Sequence, residues 1–256
     1  MKKTATAIAL VLASTNVAAL PLVDFWAGGY SWNTAYKGDI SATASGEPFD
    51  LSLENTLQLE DSDNNVIWAA FEHPIPVVPN IQIRQTTLET TGMGSIDKSF
   101  EFGGETYSGN VTLDSNVNLN HTDLTLYWGL PLPVITVDFG LNIRQFDGEL
   151  AINTGIAKLD APIPMAFARV GGYLPFTGLS VMAEANYIGY GETNHMDYQV
   201  VARYTIPMIP VLDINVEAGY RAFQLNIDPT DFGGDSDDLT ADIDMSGIFL
   251  GISLHL

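Results

Sequence analysis

The chain has 256 residues, a formal net charge of −21 and no cysteine. Ten basic against 31 acidic residues make nucleic acid and anionic surfaces poor partners, and without cysteine no disulfide can hold the fold. Apolar residues make up 46 % of the chain. Beyond its first segment, none of the apolar runs approaches the roughly 18 residues that a membrane-crossing helix needs.

That first segment, MKKTATAIALVLASTNVAA, has two lysines, an apolar run from Ala5 to Ala13 and then small residues. It reads as a secretory signal peptide over residues 1–19, cut after Ala19, with Val17 and Ala19 ahead of the cut. An uncleaved anchor is the alternative, although the run is too short to span a bilayer. Residues 20–256 then form one unit, a length that suits a single all-β domain or barrel. Losing Lys2 and Lys3 leaves that unit still more acidic.

Short period-two runs follow one another along the chain. Trp26–Lys37 sets Trp26, Tyr30, Trp32 and Tyr36 against Ala27, Gly29, Ser31 and Asn33. Asn80–Thr86 sets Ile81 and Ile83 against Gln82 and Arg84, and Val137–Arg144 sets Phe139, Leu141 and Ile143 against Asp138, Asn142 and Arg144. Tyr198–Thr205 and Leu212–Arg221 repeat the split. A strand sends alternate residues to opposite faces. A soluble sandwich buries the apolar face, whereas a membrane barrel turns it outward.

The arginines bear on that choice. All five, Arg84, Arg144, Arg169, Arg203 and Arg221, fall mid-strand on the less lipophilic phase. Asp138, Glu184, Asn186, Asp213 and Glu217 share that phase. Guanidinium groups favour planar, bidentate pairing with carboxylates in confined places, so a narrow lumen closed by ion pairs is expected. An arginine-bearing solvent face on a soluble sheet is the competing reading.

Four segments share one plan of strand, Pro-containing turn and strand: residues 71–85, 126–145, 170–185 and 202–221. Proline cannot donate to a ladder, so these turns are expected on one rim of a closed sheet. Between them lie longer acidic stretches, roughly Thr43–Asn65, Gly92–Asn110, Ala151–Ala161, Gly191–Asn194 and Ile227–Ala241. Four turns and two terminal strands predict ten strands, with eight as the fallback.

The last residues, GIFLGISLHL, carry an aliphatic phase, Ile248, Leu250, Ile252, Leu254 and Leu256, that would face lipid. Gly251, Leu254 and Leu256 resemble the assembly signal of Gram-negative outer-membrane barrels, with Leu in place of the usual final Phe and Phe249 at a usually polar position. Aromatics near strand ends suggest an interfacial girdle: Trp26, Tyr30, Trp32, Tyr36, Trp68, Phe71, Tyr127, Trp128, Tyr173, Tyr187, Tyr190, Tyr198, Tyr204 and Tyr220.

The segments LPLVDFWAGGYSWNTAYKGDI and LPLPVITVDFGLNIRQFDGEL, with the Asp-rich stretch before the last strand, resemble small Gram-negative outer-membrane β-barrels known by a Gly-Gly pair in the first strand, here Gly28-Gly29. The resemblance covers essentially the whole chain after the leader. It implies an outer-membrane location and brings no activity and no functional residues.

Chemistry is sparse. The four histidines, His73, His121, His195 and His255, form no HExxH and no pair with metal-ligand spacing. His195, near Glu192 and Asp197, and His121 could lie at the outer rim, where a barrel enzyme would need them; solvent-facing loop histidines are the plainer reading. Seven Asp in residues 228–244 (228, 231, 235, 237, 238, 242 and 244) could hold Ca²⁺ or Mg²⁺ or merely solvate a loop. Asp61–Asn65 begins like an EF-hand but has Val66 where that loop needs glycine.

The expected molecule is therefore an all-β, transmembrane, antiparallel up-and-down barrel in the cell outer membrane, with short periplasmic turns and longer acidic extracellular loops. Its expected role is structural or surface interaction with a narrow or closed lumen. A narrow channel for small solutes or ions, an outer-rim protease or lipid A-modifying enzyme, and a soluble secreted binder are the alternatives. No catalytic, cofactor-binding or metal residue is assigned, and no cofactor. Expected partners are outer-membrane lipid, lipopolysaccharide and, through the C-terminal strand, the barrel-assembly machinery; nucleic acid is not one, and a monomer is expected.

Overall fold

The computed structural model describes residues 23–209, 212–227, 231 and 240–256; the expected signal peptide lies outside them. In chain order the first strands are β1 (Asp24–Ala44), β2 (Glu47–Ser52), β3 (Ser62–Glu72), β4 (Asn80–Thr86), β5 (Glu89–Asp97), β6 (Phe100–Phe102), β7 (Glu105–Tyr107) and β8 (Asn110–Gly129). They are followed by β9 (Ile135–Ile152), β10 (Gly155–Leu159), β11 (Pro162–Leu174), β12 (Leu179–Tyr190), β13 (Thr193–Ile209), β14 (Leu212–Ile227) and β15 (Ala241–His255).

Ten of these close into an antiparallel barrel, in the order β1-β3-β4-β8-β9-β11-β12-β13-β14-β15. The first and last strands seal it, pairing from Trp26 with His255 to Ile40 with Ala241. Phe25 and Leu256 exchange backbone hydrogen bonds of 3.1 and 2.9 Å at the end of that seam. Both termini therefore lie on the rim that carries the Pro-containing turns. The expected strand number and the single short-turn rim are both observed.

The opposite rim departs from the expected long loops. β2, β5, β6, β7 and β10 extend the wall of the barrel, so most of those acidic stretches are sheet. Gly191 and Glu192 alone join β12 to β13. Gly191 has φ of +61°, and a Cβ there would lie 2.0 Å from the carboxylate of Asp231, which explains glycine at that hairpin.

The apolar face switches sides part-way up the wall. In β9, Ile135, Phe139, Leu141 and Ile143 point outward while Asp138, Asn142 and Arg144 point in. Past Arg144 the outward residues are Gln145, Asp147 and Glu149, and Phe146, Leu150 and Ile152 point in. β8 makes the same exchange: Leu124 and Leu126 are outward beside inward Asp123 and Thr125, whereas Leu113, Val117 and Leu119 are inward higher up. In both strands the geometric alternation is unbroken; only the polarity assigned to each face changes. The half near the short turns thus carries an apolar exterior and polar interior, and the other half is built like a soluble β-protein. Leu51, Leu53, Leu57, Leu88 and Leu113 are fully buried in that second half.

The girdle reading needs correction at six residues. Trp26, Tyr30, Trp32, Tyr36, Trp68 and Tyr127 lie on the inward phase of their strands. Two of them have inward partners on neighbouring strands: Tyr30 stacks on Phe249 of the adjacent β15 at 4.3 Å, and the Arg221 guanidinium of β14 lies 4.8 Å over Trp32. This also accounts for Phe249 at a usually polar position. Phe71, Tyr173, Tyr187, Tyr190, Tyr204 and Tyr220 do face outward.

On β15, Ile248, Leu250 and Ile252 form the expected exposed aliphatic row. Leu141, 63 % exposed at the middle of the belt, gives the test. Leu141→Arg should destabilise the barrel by about 2–4 kcal/mol, read as a lower urea midpoint in lipid vesicles; in a soluble protein an exposed Leu→Arg change would be nearly neutral.

Candidate functional site

The inward face of the lower half is the densest collection of charged groups in the described residues, and it crosses the lumen. Asp123 and Arg144 are directly opposed on β8 and β9. Arg144 donates to both carboxylate oxygens of Asp123 at 2.7 and 2.8 Å, and through Nη2 to Asp197 at 2.6 Å. Asp197, on β13, also accepts two bonds from Arg221 of β14, at 2.9 and 2.7 Å. Arg221 reaches on to Tyr30 Oη at 3.3 Å and Thr86 Oγ1 at 3.2 Å. One chain of bonds thus connects β8 and β9 through β13 and β14 to β1 and β4. Both guanidinium groups are fully buried.

A second tier lies nearer the short turns. Arg84 of β4 is bonded across the lumen to Glu184 of β12. Arg169 donates to Glu184 and Asp138, each at 3.2 Å, and also to Gln82. In a third pair, Arg203 meets Glu217 at 2.7 Å, and Ser253 donates to the same carboxylate oxygen at 2.7 Å. All five arginines expected to pair with carboxylates do so. The sequence pointed to Asp138, Glu184 and Glu217 among the partners; it missed Asp123 and Asp197, which hold the most buried pair of arginines. The signal was present in the phase: Asp123 sits two residues from Thr125 and Asp197 two from Gln199, all inward.

An apolar exterior around a polar, ion-paired interior is stable only in lipid, since backbone and charge are satisfied within a closed ring. The chain is an outer-membrane β-barrel.

Comparison with solved structures finds matches at low identity. The outer membrane protease OmpT from Escherichia coli is 12 % identical, with 91 % of this chain and 96 % of that one covered and a TM-score of 0.42. OpdQ of Pseudomonas aeruginosa is 12 % identical over 93 % of this chain and 67 % of that one, TM-score 0.31. A FadL homologue from the same organism is 10 % identical over 91 % and 89 %, TM-score 0.31. No protein-family model and no curated protein matches the chain.

His195 and His121 are neither at an outer rim nor in solvent-facing loops. Both are buried in the lumen. His195 Nδ1 faces the Gln224 carbonyl at 2.7 Å; a carbonyl only accepts, so Nδ1 carries the proton and Nε2 accepts from Arg144, 2.7 Å away. His121 Nδ1 likewise donates to the Leu119 carbonyl at 2.8 Å. His121, Asp123 and Asp197 bring potential ligand atoms within 4.8 Å of one another. Arg144 already donates to both carboxylates, so a metal ion would have to displace a buried guanidinium, and the set does not suit one.

Of the acidic stretch 228–244, Asp231 accepts backbone bonds of 2.9 Å from Glu192 and Thr193, and Asp242 and Asp244 stand on the outer face of β15. Burial and the neighbouring Asp244 and Asp39 push the Asp242 carboxyl upward. Asp228, Asp235, Asp237 and Asp238 lie outside the described residues. Asp61–Asn65 runs into the extended strand β3, where Asp63 and Asn65 point outward and Asn64 inward to Thr34 and Tyr36. An extended segment cannot wrap its side chains around one ion.

Between the paired tiers and the short-turn rim lies a vestibule of about 790 Å³. Its ceiling is Tyr30, Arg84, Glu184 and Gln199, and Trp26, Trp68 and Arg203 stand in its wall. Above the tiers the lumen is filled by Phe146, Phe223 and Trp32, all fully buried.

Removing Asp197 should strand Arg144 and Arg221 without their shared carboxylate. Asp197→Ala is expected to cost about 3–5 kcal/mol, measured by urea unfolding of the refolded barrel, whereas Glu149→Ala on the outer wall should change it by less than about 0.5 kcal/mol. Equal effects would mean that the lumenal lattice carries no special weight.

Proposed function

We propose that the protein is a sealed outer-membrane barrel that serves a structural or surface-interaction role. The observation that carries this is the Arg144–Asp197–Arg221 chain, which spans the lumen with both guanidiniums fully buried. A conducting pore needs a hydrated path, and paired charges under an apolar plug oppose one. The half beyond the belt supplies a rigid sheet-built platform for contacts outside the membrane. The reading is non-enzymatic: His121 and His195 are buried among arginines and aromatics and do not line the vestibule.

Membership of the barrel group with the first-strand Gly-Gly pair is part of the proposal. It is supported by close approach at that pair. A Cβ on Gly28 would come within 2.7 Å of Ser253 Cβ and 3.0 Å of the Trp68 ring, and one on Gly29 within 3.0 Å of the Val66 carbonyl. The proposed partners are the surrounding lipid and lipopolysaccharide, with the assembly machinery engaging β15 during insertion, and the barrel acts as a monomer.

Planar-bilayer recordings of the refolded protein test the seal. No conductance steps are expected. Regular steps would replace this reading with a narrow channel, and steps gained only in Asp197→Ala would locate the seal at the lattice.

A further inference from the structure

We propose that the vestibule binds a zwitterionic phospholipid drawn from the leaflet at the short-turn rim, with its headgroup inside the barrel. The inference goes beyond the sealed-barrel reading and does not need it.

The vestibule wall changes character along its length. Its ceiling is charged, its middle holds the rings of Trp26 and Trp68, and its mouth is formed by Leu174, Phe176, Leu179 and Val181. Those last four are exposed and belong to the outer apolar surface. The cavity and the lipid-facing belt therefore share one apolar seam, which passes around the turn between β11 and β12. A purely polar ligand would leave that seam bare. A purely apolar one would take water from Arg84 and Glu184 without replacing it. A molecule with a polar end and an apolar tail satisfies both regions.

The charges choose the headgroup. Arg84, Arg169 and Arg203 line the vestibule together with Glu72, Glu184, Glu217 and Asp213. A lone anion would meet an excess of carboxylates, and a lone cation would meet three guanidiniums. A headgroup carrying both signs finds both partners. Arg84 is only 5 % exposed, and its Nε has no hydrogen-bond partner. Buried donors are almost always satisfied, and a phosphate oxygen would be a natural acceptor for this one once the guanidinium turns toward the vestibule, from which its Nε is closed off.

Phe176 supplies a third, independent observation. Leu174–Thr177 is a tight turn in which Thr177 N donates to the Leu174 carbonyl at 3.3 Å. Phe176 holds φ of +66° at its third position, where glycine or asparagine normally stands. An aromatic residue is strained there, and its ring is wholly exposed at the vestibule mouth. Strain of this kind is retained where the side chain has a task that a better-suited residue could not perform.

Once the outward-facing Trp128 is removed, Trp26 and Trp68 report on the vestibule, and Trp32, buried above the tiers and outside the vestibule lining, adds a constant background. The Trp128→Phe protein, in nonionic maltoside micelles, is titrated with chain-brominated phosphatidylcholine. Saturable quenching of tryptophan emission is expected. Ser180→Phe, which places a ring in the cavity opposite Arg203, should abolish most of it. Phe176→Gly should raise the half-quenching concentration by about tenfold, the loss of one aromatic contact, and at the same time raise the urea midpoint. Quenching that is linear, or unchanged by both variants, would show bromines acting through the wall and overturn the site. Tighter quenching by brominated phosphatidylglycerol would overturn the zwitterionic headgroup. Should Ser180→Phe fail to refold, Phe176→Gly alone decides, because a merely structural phenylalanine would not combine a gain in stability with a loss of binding. Conductance reads the seal and quenching reads the vestibule, so either proposal can fail without the other.

Discussion

The Asp123–Arg144–Asp197–Arg221 lattice sits at the height where the wall exchanges its apolar face, and much of the architecture follows from that coincidence. Below it, lipid takes the apolar phase of each strand, and period two then forces the polar phase into the lumen. Ten strands enclose too little space for those groups to keep full hydration shells. Charges must pair, and arginine is suited to the task because one guanidinium can serve two carboxylates in a plane. Arg144 does this with Asp123 and Asp197. Above the lattice, water takes the outer face, and the lumen can be filled with leucine and phenylalanine instead.

Such pairs need not stabilise the barrel more than an apolar filling would, because desolvation offsets much of their attraction. What they add is register. Asp123 lies directly opposite Arg144, Arg203 opposite Glu217, and Arg169 opposite both Asp138 and Glu184. A slip of one residue at any of these seams would turn a charge toward lipid. A slip of two would leave a buried charge unpaired. The outward aliphatic residues could tolerate the second error; the lumen could not.

The barrel was legible because its signals are local. Alternation, Pro-containing turns and mid-strand arginines can each be read within a dozen residues, and together they led to the correct strand number and outward face for β4, β9 and β15. The site was legible only by half. That arginines would meet carboxylates followed from their shared phase, but the pairing of Arg144 with Asp197, 53 residues away, depends on closure of the ring. The first strand misled for a related reason. Tryptophan and tyrosine suit both an interfacial girdle and a lumen floored by guanidiniums, and only the inward partners Phe249 and Arg221, brought beside β1 by closure of the ring, separate the two. His121 and His195 were placed too near the outside because their acidic neighbours resemble loop; they lie instead on strands just where polarity changes sides.

The same division redefines what the net charge means. The five arginines are all engaged inside, each matched by carboxylates, so they contribute nothing to the outer surface. Lys37, Lys98 and Lys158 are the basic residues that the described exterior presents, and Lys98 lies 3.8 Å over the Phe49 ring. The acidic residues outside the lumen, among them Asp147, Glu149, Asp242 and Asp244, stand on the outer wall of the projecting half. The excess of negative charge is therefore concentrated on the part of the barrel that leaves the membrane. Like charges there repel copies of the chain and anionic surfaces at the distance of a Debye length, while the apolar belt carries no charge at all. Composition alone reports an acidic protein; the fold gathers its arginines inside against carboxylates and leaves a row of acidic residues on the wall of the projecting half.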